Sequence, residues 1–145
     1  MGEARHVAEE FVEAFNAHDE ARIRGITRDD AVFEAPGEVK LTTGDAMTEY
    51  AMGWIHAFPD ARIDVRNTIV GDGWAVQEFT FEGTHEDTLS GPGGEIPATH
   101  RHLSGRGTQI MRVDGGKIAD VRLYFDQVDV MTQLGVMPAA ASATA

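Results

Sequence analysis

The sequence predicts an α+β fold, a curved antiparallel sheet packed on one face against three N-terminal helices. Three observations predict it. Apolar residues recur at helical spacing in segments that end before Pro59. From Ala61 onward the period changes to two, as in strands. Glycine-rich turns, Gly71-Asp72-Gly73 and Asp114-Gly115-Gly116, then join successive strands as hairpins.

The elements follow in chain order. Residues 3 to 17 read as an amphipathic helix, because Val7, Ala8, Phe11, Val12, Ala14 and Phe15 share one stripe. The break at Asn16-Ala17-His18-Asp19 precedes a short helix near 19 to 27. "DDAVFEAPG", residues 29 to 37, reads as a strand closed by Pro36-Gly37. Gly44-Asp45 opens a third helix with Met47, Tyr50, Ala51, Trp54, Ile55 and Phe58 as its apolar positions. "ARIDVRNTIV" and "WAVQEFTFEGTH" alternate as strands. A Gly/Pro-rich loop, roughly 86 to 99, interrupts the sheet, and its "SGPGGE" glycines are expected to give a mobile lid over a pocket mouth. "HLSGRGTQIMRV" and "KIADVRLYF" complete the strands, and residues 127 to 134 read as a last helix. A single domain is expected over 1–136, followed by a patternless, flexible C-terminal tail, 137–145.

Charge and composition exclude several functions. The formal net charge is −12, with 12 Lys and Arg against 24 acids, which disfavours a phosphate backbone, so no nucleic-acid partner is expected. The absence of Cys rules out disulfides, thiolate catalysis and Cys-ligated zinc. No apolar run reaches the ~18 residues of a membrane span, and the N-terminus lacks a secretory apolar core. A cytoplasmic protein without a membrane partner is therefore expected. The glycines of "SGPGGE" lack a following Lys-Ser/Thr and do not make a phosphate-binding loop.

Several short segments recur in an informative order. "EEFVEAFNAHD", "DDAVFEAPG", "AFPDARIDV", "FEGTH", "DGGKIADVRLYFD" and "MTQLG" span about residues 5 to 136. Together they resemble the SnoaL-like polyketide cyclases of the nuclear-transport-factor-2-like superfamily, which also holds ketosteroid isomerases and limonene-epoxide hydrolases. The resemblance implies a cone-shaped α+β barrel that is often a homodimer. It also implies positions for chemistry. Ketosteroid isomerases place an oxyanion-stabilising Tyr in the first helix, where this chain carries Phe11. Their general base, an Asp before a Pro, matches Ala35. The final-strand acid of the cyclases and epoxide hydrolases matches Leu123, and a later acid matches Asp126. A His that assists the cyclases matches Gln109. Phe11, Ala35 and Leu123 cannot exchange protons, so the family mechanisms do not transfer residue for residue.

Strand parity decides which side chains reach a pocket. The inward sets are Ala75, Gln77, Phe79, Phe81, Gly83 and His85, then Leu103 to Val113 at odd positions, then Ala119, Val121, Leu123 and Phe125. Ile63, Val65, Asn67 and Ile69 form the inward set of the preceding strand. Inward polar residues are Asn67, Gln77, His85 and Gln109, and Phe11, Phe15, Tyr50, Trp54, Phe79, Met111 and Leu123 are expected beside them as substrate-binding groups.

Two residues are candidates for catalysis. His85 titrates near neutral pH and is expected at the pocket rim, as a general base or as an anchor bonded to a loop carbonyl. Asp126 sits on the polar face at a strand-to-helix junction, where capping the next helix competes with catalysis; a bulge would turn it inward. His100 and His102 have a metal-compatible spacing but point outward by parity, and no metal site is assigned.

Three functions fit these residues. The first is a cofactor-independent cyclase, isomerase or hydrolase acting on a small apolar carbonyl or polyketide-like compound. The second is a non-catalytic hydrophobic-ligand-binding protein. The third is a dimerisation module using Val76, Ile110 and Tyr124 on the outer sheet face.

Overall fold

The structure, a computed structural model, describes residues 2–91 and 94–136. The predicted tail, 137–145, lies outside the described residues.

The first helix, α1 (Gly2–Asn16), buries Ala4, Val7, Ala8, Val12, Ala14 and Phe15, as the stripe requires. Asn16 ends it by imitating a strand. Its amide nitrogen donates to the Ile63 carbonyl at 2.9 Å, and its oxygen accepts from the Ile63 N–H at 2.7 Å. The helix end is thereby tied to the edge of the sheet. Asp19 then caps α2 (Glu20–Gly25) by accepting the Arg22 N–H. Thr43 caps α3 (Gly44–Ala57) by accepting the Ala46 N–H at 3.1 Å. Gly44 is fixed by closeness, because a Cβ there would stand 2.3 Å from the Arg28 carbonyl oxygen.

Among the described residues the alternating and turn-rich segments form eight strands: β1 (Thr27–Ala35), β2 (Val39–Leu41), β3 (Arg62–Gly71), β4 (Trp74–Thr84), β5 (Leu89–Gly91), β6 (Gly94–Ile96), β7 (His102–Asp114) and β8 (Lys117–Phe125). A last helix, α4 (Gln127–Gln133), follows β8. Six strands make one sheet in the order β2-β1-β8-β7-β4-β3. The helical lid over a curved sheet is the architecture the sequence predicts.

Three details differ from the expectation. First, β1 runs parallel to β8, with Phe33 opposite Val121, so the sheet is mixed rather than antiparallel throughout. A strand that is followed by a helix crossover is free to pair in this sense. Second, β3 is broken by a register shift between Val65 and Asn67. The extra residue reverses parity. Ile63 is buried and Val65 half-buried, but beyond the bulge Thr68 and Val70 turn inward and Ile69 is exposed. Third, the segment predicted as a loop contains the hairpin β5–β6, whose base is held by Glu86 and Asp87 N–H groups on the Ala57 carbonyl. None of its described residues borders the aromatic cavity, while residues 92 and 93 of the expected lid lie outside the described residues.

In β4, β7 and β8 the predicted parity holds. Odd-numbered residues from Ala75 to His85 and from Leu103 to Val113 face the helices, and Ala119 and Val121 are buried while Arg122 is exposed. Burial on this face forms the two hydrophobic clusters between sheet and helices.

Candidate functional site

A cavity of ≈ 100 Å³ opens between α1, α3, α4 and the inner face of the sheet. Its walls follow from the parity just described. Phe11 and Phe15 enter from α1, and Tyr50 and Trp54 from α3. Phe79, Met111 and Leu123 enter from the central strands. Sequence reasoning had not singled out Phe33, Phe81 and Phe125 as contacts, although Phe81 and Phe125 belong to the predicted inward sets. The aromatic wall is interlocked: Trp54 meets Phe81 at 5.5 Å and Phe125 at 5.8 Å, both edge-on.

The floor contains a gap made by glycine. Gly105 borders the cavity, and a Cβ added there would meet nothing within 4 Å. Two residues on and on the same face, Gly107 is covered by the neighbouring strand, since its Cβ would fall 2.6 Å from the Phe79 ring. The strand thus leaves open space at one position and seats a ring at the other.

Polar groups reach the cavity at few places. Tyr50 is half-buried, and burial raises its hydroxyl pKa above the ordinary tyrosine value, with a Trp54 hydrogen bond opposing. It is therefore a neutral donor at physiological pH. Gln109 is buried and borders the cavity, and its Nε2 donates to Gln77 Oε1 at 2.8 Å. Gln77 itself lies behind Gln109, 1% exposed, and does not border the cavity. Asp126 borders it at the exposed end, with Asp129 and Arg106 beside it. Arg106 escaped the sequence reading because parity turns it outward; its place at the rim depends on where α4 lands.

Asp126 proves to be a helix cap that also faces the cavity mouth. Its Oδ1 accepts the Asp129 N–H at 3.0 Å, which opens α4. The two readings of this residue are compatible, because a carboxylate has a second oxygen.

The expected positions of two other residues are corrected. Asn67 does not face inward. The β3 bulge turns it to the outer face, where it is exposed and its Nδ2 donates to Glu78 Oε1 at 3.0 Å. His85 does not sit at the rim of the cavity. It is fully enclosed, and its ring stacks on Phe58 with centroids 5.2 Å apart. Phe58 in turn stacks on Trp54, which lines the cavity, so one phenyl ring separates His85 from it.

The environment of His85 fixes its protonation. Nδ1 accepts the Thr99 N–H at 3.2 Å and lies 3.0 Å from the Thr99 hydroxyl. Nε2 is buried with no hydrogen-bond partner among the described residues. Burial pushes the ring below the ordinary histidine value, and nearby His100 pushes the same way. The Asp87 and Ile96 carbonyls and the Asp87 charge oppose the shift. A depressed base costs stability in acid: the unfolded chain binds a proton below pH ~6.5 that the folded chain resists. Stability attributable to His85 is therefore complete above pH ~6.5 and erodes as the pH falls toward the lowered folded value. Urea midpoints between about pH 7.5 and about pH 5.5 check this, the wild type losing more than His85→Gln.

The His-x-His pair is outside the site. His100 bonds Glu86 at 2.6 Å and His102 faces Glu82 at 3.7 Å, all exposed. Among the described residues no group of three or more His, Cys, Asp or Glu side chains is arranged for a metal ion. No helix among them is long and apolar enough to cross a membrane.

Comparison with known proteins agrees with this architecture. The family model of the SnoaL-like polyketide cyclases matches residues 5–134. AclR from Streptomyces galilaeus superposes with a TM-score of 0.80 at 22% identity, over 95% of this chain and 99% of that one. A SnoaL-like protein from Jannaschia sp. CCS1 gives 0.83 at 14% identity, over 94% of both chains. An LEH-like epoxide hydrolase from M. tuberculosis gives 0.72 at 18% identity, over 99% and 98%. At these identities the solved structures speak for the fold alone. A search of curated proteins gave no match.

Proposed function

Because the chain belongs to the SnoaL-like polyketide cyclase family, we propose that it acts on a small apolar molecule bearing a carbonyl oxygen. The chemistry is cofactor-independent proton transfer in a cyclisation, isomerisation or hydration. The observation that carries this reading is the cavity itself, an aromatic enclosure whose open end is bordered by the Asp126 carboxylate. Apolar walls supply binding, and a mouth carboxylate supplies a proton acceptor where the bound molecule leaves the enclosure. Asp126 is the proton-transfer group, and Tyr50 and Gln109 orient the oxygen. His85 plays its part from behind Phe58, as the anchor, through Thr99, of the segment between β6 and β7.

A specific observation favours a second reading, ligand binding without turnover. Leu123 and Phe11 line the cavity at positions where the resemblance implies proton-exchanging groups, and Tyr50 is a half-buried titratable side chain beside them. We further propose that two copies associate through the outer sheet face, where Tyr124 and Ile69 are more than half exposed beside Val76 and Ile110.

The enclosure is tested by filling it. Gly105→Leu places a side chain in the gap, and its backbone needs no positive φ. Binding of one-ring ketones, followed by NMR titration, is expected to be lost while the thermal midpoint stays near that of the wild type. Unchanged binding removes the cavity from the proposal. Whether bound compounds are also converted is decided at Asp126.

A further inference from the structure

The buried amides of Gln77 and Gln109 face each other across β4 and β7, which pair these two residues in register. Gln77 is 1% exposed and Gln109 5%. One hydrogen bond joins them, from Gln109 Nε2 to Gln77 Oε1. It leaves Gln77 Nε2, which carries two N–H donors, buried with no partner among the described residues. Native interiors rarely strand a donor in this way, and they tolerate an under-used carbonyl oxygen better.

An amide exchanges its nitrogen and oxygen by a half-turn of its last torsion, and the two ends have nearly the same shape. Turning both amides together keeps a hydrogen bond between them. Gln77 Nε2 then donates to Gln109 Oε1, and the stranded donor is used. The same turn moves Gln109 Nε2 to the position its oxygen held, away from Gln77, on a residue that borders the cavity. Its strand neighbours in the lining, Met111, Val121 and Leu123, are apolar, and Tyr50 adds one hydroxyl to the uncharged wall. The charged residues of the lining, Arg106, Asp126 and Asp129, are exposed ones. An N–H presented among such walls needs an acceptor, and the molecule in the cavity is the source of one.

We propose that Gln77 and Gln109 form an amide pair that selects ligands carrying a carbonyl oxygen, Gln109 donating to that oxygen and Gln77 holding Gln109 in the donating orientation. This inference rests on that reading of the cavity as the ligand site and adds how the carbonyl is selected, through a donor that Gln77 holds in place. Gln109 is the contact and specificity residue. Gln77 is a positioning residue that acts through it. The donated hydrogen bond also polarises the carbonyl, which favours charge developing on its oxygen.

Three one-ring probes separate the possibilities: acetophenone, 1-phenylethanol and ethylbenzene. They share one ring and differ in the oxygen function alone, and because the cavity of ≈ 100 Å³ is open at its Asp126 end, a probe longer than the enclosure extends through the mouth. The probes are titrated by NMR into the wild type, Gln109→Met and Gln77→Met, substitutions that keep volume and remove the amide. In both variants acetophenone is expected to weaken about fivefold, the worth of one net hydrogen bond. Ethylbenzene keeps or improves its affinity. The carbonyl stretch of bound acetophenone is lowered in the wild type and returns toward its unbonded value in Gln77→Met, a change that a purely structural role for Gln77 does not produce.

An acetophenone-to-ethylbenzene ratio that both variants leave unmoved overturns the amide pair while the cavity stands as the binding site. Preferential loss of 1-phenylethanol in Gln109→Met also overturns it, because Gln109 then presents its oxygen. Failure of all three probes to shift cavity resonances in the wild type removes the ligand site and this inference with it.

Discussion

Asp126→Asn is expected to lower turnover about 10²–10⁴-fold while leaving stability close to that of the wild type. The two outcomes separate because the residue has two roles. As a cap, Asp126 uses Oδ1 to accept the Asp129 N–H at 3.0 Å. Asparagine keeps a carbonyl oxygen in that place, and the two residues rank alike as N-caps. The lost charge at the start of α4 costs about 0.3–1 kcal/mol at an exposed site. As a base, the carboxylate is irreplaceable, because an amide oxygen does not take up a proton near neutral pH. Asp126→Ala provides the contrast. It removes cap and carboxylate together and costs about 1 kcal/mol more in folding. The check is a kcat/KM series on any converted ketone, with urea unfolding of the same samples. Turnover in Asp126→Asn equal to the wild type ends the catalytic assignment and leaves the ligand-binding reading in its place.

Much of the fold was legible because its signals are local. The stripe from Val7 to Phe15 and the alternation from Trp74 to Thr84 each lie within one element, and each buried the face it named. Features created by contact between distant segments were not legible. The pairing of β1 with β8 joins strands at opposite ends of the chain, and nothing in "DDAVFEAPG" specifies a parallel partner. The β3 bulge inserts one residue without a glycine to mark it, so Asn67 and Ile69 were assigned to the wrong face. Gln77 and Gln109 were each legible as inward amides. Their pairing required the β4–β7 register, 32 residues apart in sequence. The aromatic cavity wall lay in the predicted sets, whereas the rim depended on the position of α4, which parity does not reach.

Phe58→Ala is the substitution expected to change the molecule most. Phe58 follows α3, is fully buried, and bonds back to it through its N–H on the Trp54 carbonyl at 2.9 Å. Its ring stacks on Trp54, meets Phe81 edge-on at 5.5 Å and stacks on His85. The seat is shaped for it: a Cβ at Gly83 would fall 2.9 Å from the Phe58 Cβ. Truncation removes a large apolar surface and leaves a void in a region that cannot collapse around three aromatic partners, a loss of about 3–5 kcal/mol. For a chain of this length that lowers the thermal midpoint by roughly 10 °C.

The same truncation has a consequence that stability alone does not report. It joins the enclosure of His85 to the aromatic cavity, which lets water reach the ring. The burial that depresses the His85 pKa is then relieved, and the acid sensitivity described above shrinks. Peptide-level mass spectrometry after treatment with diethyl pyrocarbonate reads this directly. His85 is expected to stay unmodified in the folded wild type and to react in Phe58→Ala at a concentration of denaturant too low to unfold it. Phe58→Leu, which keeps most of the volume, is the intermediate case. An unreactive His85 in folded Phe58→Ala means that a different contact seals it, with Thr99 and the β5–β6 hairpin the remaining cover.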